Sequence, residues 1–577
     1  MTFKLKFILL LVFVFLFGIR MFKLTENPEG FDPTEAGFGY NAYSILKTGR
    51  DEYGKFMPLV LESVGDYKLA GYSYWQIPFI ILFNLNEFSI RFSAVTAGVI
   101  SLLLTYQIIL EIFKKHKIAL LTLFFTGISP WHIILSRMGY DPIVALMFYL
   151  LSILLFLKWY KKNKVFLFIL SSLSLCLSVF TYYSVWIIAP FTLILYCYIL
   201  FKNKHSTIKE LIILSLILLL PVITVLKLLI VTQGQRLSQD STIQVKAQPL
   251  LEEQIREEKK DYAVLLTRLF HNKTTFYPMF ILQNLSNNMS FDFLFLNGDK
   301  IDRRFYVPYS GVLYLITAPF LLLGILYFIK NYSAIKSFLI FGTILLVFIG
   351  STFSEFGSET ERTLFTDAIF CYLISYGLLI FYNWFYKYRL SPIFLMIICA
   401  GFVLNISYFN HQYYWHANVH QPWGRNYGAK ELVSTVSEIK NKYKSVVVPE
   451  NTYIFFYFFN KTDPKIAQID SLAKSNELNY LKHPYHKKIE NYIAMPIECP
   501  AAGKLNVLYV CQGNAIPPNS NMLKIIRFRD NQPAFIFLEF TPHVSVKSPP
   551  LNINYMKKFG IINDNENKYW KSEPEVQ

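Results

Sequence analysis

Charge is scarce in this 577-residue chain. Asp, Glu, Lys and Arg together make up 16% of it, against about 25% in an ordinary soluble domain. Cysteine is also scarce, six in all, which excludes a scaffold built on disulfides. There is no internal repeat of solenoid period and no low-complexity tract. What the chain does have is apolar surface. Hydrophobic residues reach 53% and aromatics 17%, with 53 Phe and 39 Tyr, and the mean hydropathy is +0.34. These values exclude disordered and collagenous classes and point to an integral membrane protein. The balance of 56 basic to 39 acidic residues gives +17. Whether that charge means nucleic acid depends on where the cations lie.

Eleven apolar runs are long enough to cross a bilayer core: 4–22, 88–113, 117–135, 142–160, 164–182, 184–201, 209–231, 309–329, 335–352, 363–386 and 390–409. The first continues into Gly18-Ile19-Arg20-Met21-Phe22 with no small-residue cleavage site, so it reads as a retained span. Alternate connections carry the Lys residues: 114, 115 and 117; 158, 161, 162 and 164; 202, 204 and 209; 330 and 336; then Lys387 and Arg389. The short loops opposite carry only Arg137 and Arg362. This asymmetry predicts a plasma-membrane protein with a cytoplasmic N-terminus and an extracytoplasmic C-terminus. The positive charge is then topological, and no nucleic-acid partner is needed.

The expected fold class is an α-helical polytopic membrane protein of about eleven transmembrane helices with a small C-terminal extracytoplasmic α/β domain. Residues 1–409 form the membrane domain, with outer loops about 23–87 and 232–308, and 410–577 form the α/β domain. In the tail, Ala429, Leu432, Val433, Val436 and Ile439 recur at helical spacing. Segments 445–449, 452–459, 506–511, 524–528 and 534–540 read as strands, and 463–476 as a helix. Cys176, Cys197, Cys371 and Cys399 lie in apolar spans as small core residues. Cys499 and Cys511 either pair or are both buried thiols.

The first outer loop holds the candidate chemistry. Asp32 stands as an N-cap, Pro33 at the first helical position and Glu35 two residues later, which is a capping box. Phe38, Ala42, Ile45 and Leu46 then share a face and Gly49 ends the helix, predicting an amphipathic helix at the outer membrane surface. Gly37-Phe38-Gly39-Tyr40-Asn41-Ala42 matches a dinucleotide fingerprint, but no strand precedes it. Asp32 and Glu35 either only cap the helix or hold a carboxylate for chemistry. Asp141, before Pro142, reads as a second N-cap or a second functional carboxylate on the same side. Lys68 is either a headgroup lysine or a functional cation. His416 and His420 at i, i+4, with His411 nearby, offer a zinc reading without an acidic ligand. Mg²⁺ or Mn²⁺ at Glu35, Asp141 and Glu361 is the alternative metal reading.

Tyr40 to Gly54, Asp66-Tyr67-Lys68-Leu69, Ser129-Pro130-Trp131-His132 and Ser136-Arg137 resemble GT-C fold glycosyltransferases, as do His271-Asn272-Lys273, Phe295 to Asp299, Arg303 and the segment Trp423 to Lys465. The bacterial protein O-mannosyltransferases and aminoarabinose transferases are the relatives in question. The resemblance implies an enzyme that moves a sugar from a polyprenyl-phosphate donor, on the outer face, to a protein, lipid or glycan acceptor with inversion. Glu35 matches the glutamate of the family's Asp-Glu pair. Thr34 stands where the aspartate is expected, and Asp32 lies two residues earlier. Asp141 falls at the second acidic position and Lys68 at a donor-phosphate lysine. A base near an acceptor hydroxyl and cations near a departing phosphate are what such chemistry requires. Lys68, Lys273, Arg303, Arg304 and Arg362 are the candidate cations. The rival readings are a transporter or flippase of a lipid-linked saccharide, which should place charges such as Lys227 and Asp367 in mid-span, and a cell-surface polysaccharide assembly protein.

Overall fold

The computed structural model describes residues 3–202, 208–232, 247–257, 269–300, 304–352, 360–387, 391–420, 422–478, 484–495, 499–512 and 516–541. The apolar runs are helical. The chain opens with α1 (Phe3–Met21), α2 (Pro33–Thr48), a hairpin of β1 (Val60–Ser63) and β2 (Asp66–Leu69), and α3 (Gly71–Phe83). There follow α4 (Glu87–Phe113), α5 (His116–Ile128), α6 (Pro130–Ser136), α7 (Pro142–Lys162), α8 (Val165–Thr181), α9 (Val185–Lys202) and α10 (Ile208–Thr232). After α11 (Gln248–Glu257) and α12 (Lys273–Asn288) come α13 (Ala318–Asn331), α14 (Ala334–Thr352), α15 (Asp367–Lys387) and α16 (Ser391–His411).

Among the described residues six helices are long and apolar enough to cross a membrane, or seven if one bent pair is a single span, where eleven were expected. The run 117–135 is broken by 59° between α5 and α6. Pro130 has no N–H to donate and holds Ser129 out of helical backbone, at φ −53°, ψ 129°. The runs at 164–182 and 309–329 yield helices of 17 and 14 residues, short of the ~20 a span needs. α1 carries Lys4, Lys6 and Arg20 within its 19 residues. The chain is a multi-span membrane protein all the same, with one continuous apolar core running through α4, α5, α7, α8 and α15.

The tail forms a six-stranded mixed sheet. Its strands are β3 (Ser445–Pro449), β6 (Lys488–Ile489), β7 (Tyr492–Met495), β8 (Val507–Cys511), β9 (Ser520–Arg527) and β10 (Pro533–Phe540), in the order β6-β7-β3-β8-β10-β9. β3 runs parallel to β7 and β8, and β10 antiparallel to β8 and β9. A side hairpin joins β4 (Lys474–Leu478) to β5 (Pro484–His486). Alternation divides the side chains: Phe535 and Phe537 face one core, Ile536 and Leu538 the other. The first core is covered by α17 (Ala429–Ile439), as expected from its spacing, and by α18 (Tyr453–Phe459). Residues 452–459 were expected as a strand. An unbroken run of aromatic residues fits a strand or a helix buried all round equally well, and here it is the helix. The expected helix at 463–476 is the shorter α19 (Pro464–Asp470), and the chain then turns into β4. Cys499 and Cys511 are joined in a disulfide.

α2 is packed on both sides, where a single apolar face was expected. Phe38 and Ile45 enter the bundle core, while Ala36, Tyr40 and Ala42 enter the core of the tail. Tyr40 stacks on Tyr457 at 5.1 Å, and Phe31 meets Phe458 at a tilt of 40° and 4.8 Å. The Gly-Phe-Gly sequence serves this contact. A Cβ on Gly39 would sit 2.7 Å from Ile90 and 2.8 Å from Phe458.

Candidate functional site

The capping box at the start of α2 forms as the sequence indicates. Asp32 Oδ1 accepts from Thr34 N at 2.7 Å, and Glu35 Oε2 accepts from Asp32 N at 3.3 Å. The two carboxylates part company from there. Glu35 is 1% exposed, and the Arg91 guanidinium, on α4, grips it as a two-pronged fork. Arg91 Nε donates to Oε1 at 3.1 Å and Nη2 to Oε2 at 3.2 Å. Gly139 N donates to Oε1 at 2.7 Å. Each oxygen of Glu35 therefore accepts two hydrogen bonds. Gly139 is required for this approach: a Cβ there would lie 2.6 Å from Ile90 and 3.2 Å from Glu35 Oε1. The remaining N–H groups of Arg91 hold the carbonyls of Leu24, Pro28 and Gly30. Arg137 does the same for Ile19, Arg20 and Asn27. Two buried arginines thus fix the chain that leads into Asp32.

Asp32 lies beside Tyr140, and Asp141 follows Tyr140 in the chain. The Tyr140 hydroxyl is buried, and burial followed by the Asp32 carboxylate pushes its pKa well above the usual phenol value. Asp141 was read as an N-cap or as a second functional carboxylate. It occupies the cap position of α7, but its backbone is helical and its side chain makes no capping bond. A helix opened by Pro142 has one fewer N–H to satisfy. Arg304 packs its guanidinium 5.7 Å from the Tyr140 ring centre and 5.4 Å from that of Phe305. Its carbonyl accepts from Arg425 Nε at 3.0 Å, which ties the 304–306 segment to the tail. Tyr72 lies within electrostatic reach of both Glu35 and Asp141, and its ring meets Phe38 edge-on at 5.2 Å. Lys68, on β2, lies over the other contact of Phe38, with Nζ 5.7 Å from its ring centre and 4.0 Å from Asp66.

The structure therefore brings Asp32, Asp141, Arg304 and, one ring further on, Lys68 around the start of α2. Glu35 is there as the buried partner of Arg91. Lys273 is exposed at the first turn of α12, and among the described residues no hydrogen bond or ion pair joins it to Asp32, Glu35 or Asp141. Arg362 is half-buried on a short helix, Thr360–Thr363, whose first N–H bonds Asp299 and whose carbonyl at Thr360 accepts from Trp131. Arg303 lies outside the described residues. The metal reading at Glu35, Asp141 and Glu361 does not fit, because the four hydrogen bonds occupy the lone pairs of Glu35. Among the described residues no three His, Cys, Asp or Glu converge as metal ligands. The residues missed in the sequence are Arg91, Tyr140, Gly139 and Arg425. Arg91 had a signal: it is a lone charge in Phe88-Ser89-Ile90-Arg91-Phe92, the start of an apolar helix.

Residues 10–234 match the family of dolichyl-phosphate-mannose-protein mannosyltransferases. That stretch contains Asp32, Glu35, Lys68, Arg91 and Asp141. No curated protein matches the sequence. Among solved structures, ArnT from Cupriavidus metallidurans bound to undecaprenyl phosphate aligns at 9% identity and a TM-score of 0.49, over 94% of this chain and 99% of that one. The archaeal oligosaccharyltransferase AglB from Archaeoglobus fulgidus, in complex with an inhibitory peptide and a dolichol-phosphate, aligns at 12% identity and a TM-score of 0.44, over 79% of this chain. The match spans 64% of the archaeal enzyme's length. The chain resembles the GT-C fold glycosyltransferases of the protein O-mannosyltransferase and ArnT kind.

Proposed function

We propose that this protein is a membrane glycosyltransferase that takes a sugar from a polyprenyl-phosphate donor and passes it, with inversion, to an acceptor on the extracytoplasmic face. The observation that carries the reading is the division of labour between the carboxylates. Arg91, Gly139 and the Asp32 backbone N–H saturate Glu35, while the Asp32 carboxylate stands beside Tyr140, against which Arg304 packs. The family resemblance favours Glu35 as the base; the hydrogen bonding favours Asp32. A base must come within hydrogen-bond reach of the acceptor proton, and a group with every lone pair engaged inside an ion pair does not. Asp32 is the better placed, since only one of its oxygens is engaged by the cap. Arg304 and Lys68 supply positive charge for the departing polyprenyl phosphate. Among the described residues no three His, Cys, Asp or Glu converge as metal ligands, and no step is routed through a metal. The acceptor is a protein, lipid or glycan. The test is transfer from a panel of polyprenyl-phosphate sugars by the purified protein. The expected result is turnover with one donor that is lost in Asp32→Asn or Asp141→Asn at normal folded yield. Full turnover in both variants overturns the assignment, and no turnover with any donor overturns the function.

A further inference from the structure

The three histidines singled out in the sequence have no part in the Asp32 cluster. In an α-helix residues five apart point about 140° away from each other, so His416 and His420 would be the natural pair. The structure reverses this. α16 ends at His411 and runs straight into a π-helical turn, Gln412–His416. The wider turn, bonded from residue i to i+5, turns residue i+5 nearer to the side of residue i than an α-helix would. Nε2 of His411 and Nε2 of His416 lie 3.2 Å apart, with ring centres 4.9 Å apart and planes at 69°. Both side chains are exposed. His420 is drawn off toward Tyr306 and Tyr309, at 6.0 and 6.5 Å.

We propose that His411 and His416 form a two-imidazole chelate for a divalent transition-metal ion of the Zn²⁺, Ni²⁺ or Cu²⁺ kind. Two nitrogens held about 2.0–2.1 Å from zinc at a tetrahedral angle are about 3.3 Å apart. The rings already stand at that separation. Imidazole is the ligand these ions favour over Mg²⁺ or Ca²⁺. Among the described residues no third His, Cys, Asp or Glu completes the set, so water or an incoming ligand fills the remaining positions. When the ion is absent one ring donates a hydrogen bond to the other. π turns of this kind recur at functional sites, and this one has an inward face as well. Tyr413 accepts from Arg137 Nε at 3.3 Å, and Asn418, just beyond the turn, donates to Asn27 at 2.9 Å. A bound ion therefore stiffens the turn that supports the chain entering Asp32.

Equilibrium dialysis of the purified full-length protein against Zn²⁺ alone, repeated with Ni²⁺, tests this. The expected result is one saturable ion per chain, with affinity weakened by roughly tenfold or more in both His411→Gln and His416→Gln and unchanged in His420→Gln. Zn²⁺ should raise the unfolding temperature of the parent protein and leave that of His416→Gln where it was. This second reading shows that the variants are folded. Binding that survives in the His411→Gln/His416→Gln double variant, or no saturable binding into the millimolar range, overturns the proposal and leaves a hydrogen-bonded pair only.

Discussion

Glu35 has four hydrogen bonds to give up before it can take a proton from a substrate. Removing either partner of a buried ion pair strands the other charge, at a cost of about 3–5 kcal/mol. Glu35→Gln and Arg91→Gln are therefore expected to lower thermal stability and folded yield together. Asp32→Asn should behave oppositely, because Asn caps as well as Asp. Its unfolding temperature should stay near that of the parent while turnover falls by about 10²-fold or more. A folded, inactive Glu35→Gln beside an active Asp32→Asn would return the base to Glu35. A second residue-scale expectation concerns Glu52. Burial, with Asp51 and Glu62 nearby, raises its carboxyl to about 8, against the help of Tyr453. His486, buried beside Lys474, is lowered to about 3. A raised carboxyl pKa gives stability that is present below the unfolded value and lost as pH climbs to about 8. A lowered imidazole pKa gives stability that is present above about 6.5 and lost in acid. The two oppose each other in acid, and only Glu52 acts between pH 6.5 and 8. Stability should decline across that window by no more than about 1.4 kcal/mol per pH unit. Chemical unfolding at stepped pH would reveal it, and Glu52→Gln should flatten the slope.

At the level of elements, the β1–β2 hairpin depends on the tail. Its turn residues Val64 and Gly65 have φ of 52° and 72°, and valine is a poor occupant of that region. The Tyr453 hydroxyl, on α18, accepts from Val64 N at 2.8 Å and donates to Glu52 at 3.1 Å. Lys68 pairs with Leu61 across this hairpin, so its position is set from the tail as well. Tyr453→Phe leaves two buried partners unsatisfied and should cost about 1–3 kcal/mol for each. Limited proteolysis should then cut within 50–69, and donor use should weaken with it. An unchanged cleavage pattern would mean that the hairpin is held by the bundle alone. Lys68→Ala should weaken donor use more than it lowers folded yield, with Lys68→Arg recovering part. Equal donor dependence in the alanine variant removes Lys68 from the phosphate site.

On the scale of the molecule, the orientation rests on the basic loops. Cysteine labelling in intact cells reads it, provided the positions chosen are exposed. Ser63, on the first outer loop, is buried. Asn531 and Asn163 are exposed. Asn531→Cys should react with an impermeant reagent from outside and Asn163→Cys should not. Reaction at Asn163 would invert the molecule and put the Asp32 cluster in the cytoplasm.

Much of this was legible in the chain itself. Hydropathy and lysine placement determined the membrane class, because each helix must meet the bilayer on its own. The capping box at Asp32 and the strands 445–449 and 534–540 were local patterns, and local patterns survive folding. What tertiary structure decided was which partner each residue met. Glu35 reads as a free acid until Arg91, 56 positions on, closes over it. Asp141 reads as a cap or a functional carboxylate until its backbone proves helical and its side chain caps nothing. The run 452–459 reads as a strand until α2 and the sheet bury it, and α2 reads as a surface helix until the tail covers its second face. An apolar pattern records that a face is buried. It does not record what buries it, because that contact joins residues hundreds of positions apart.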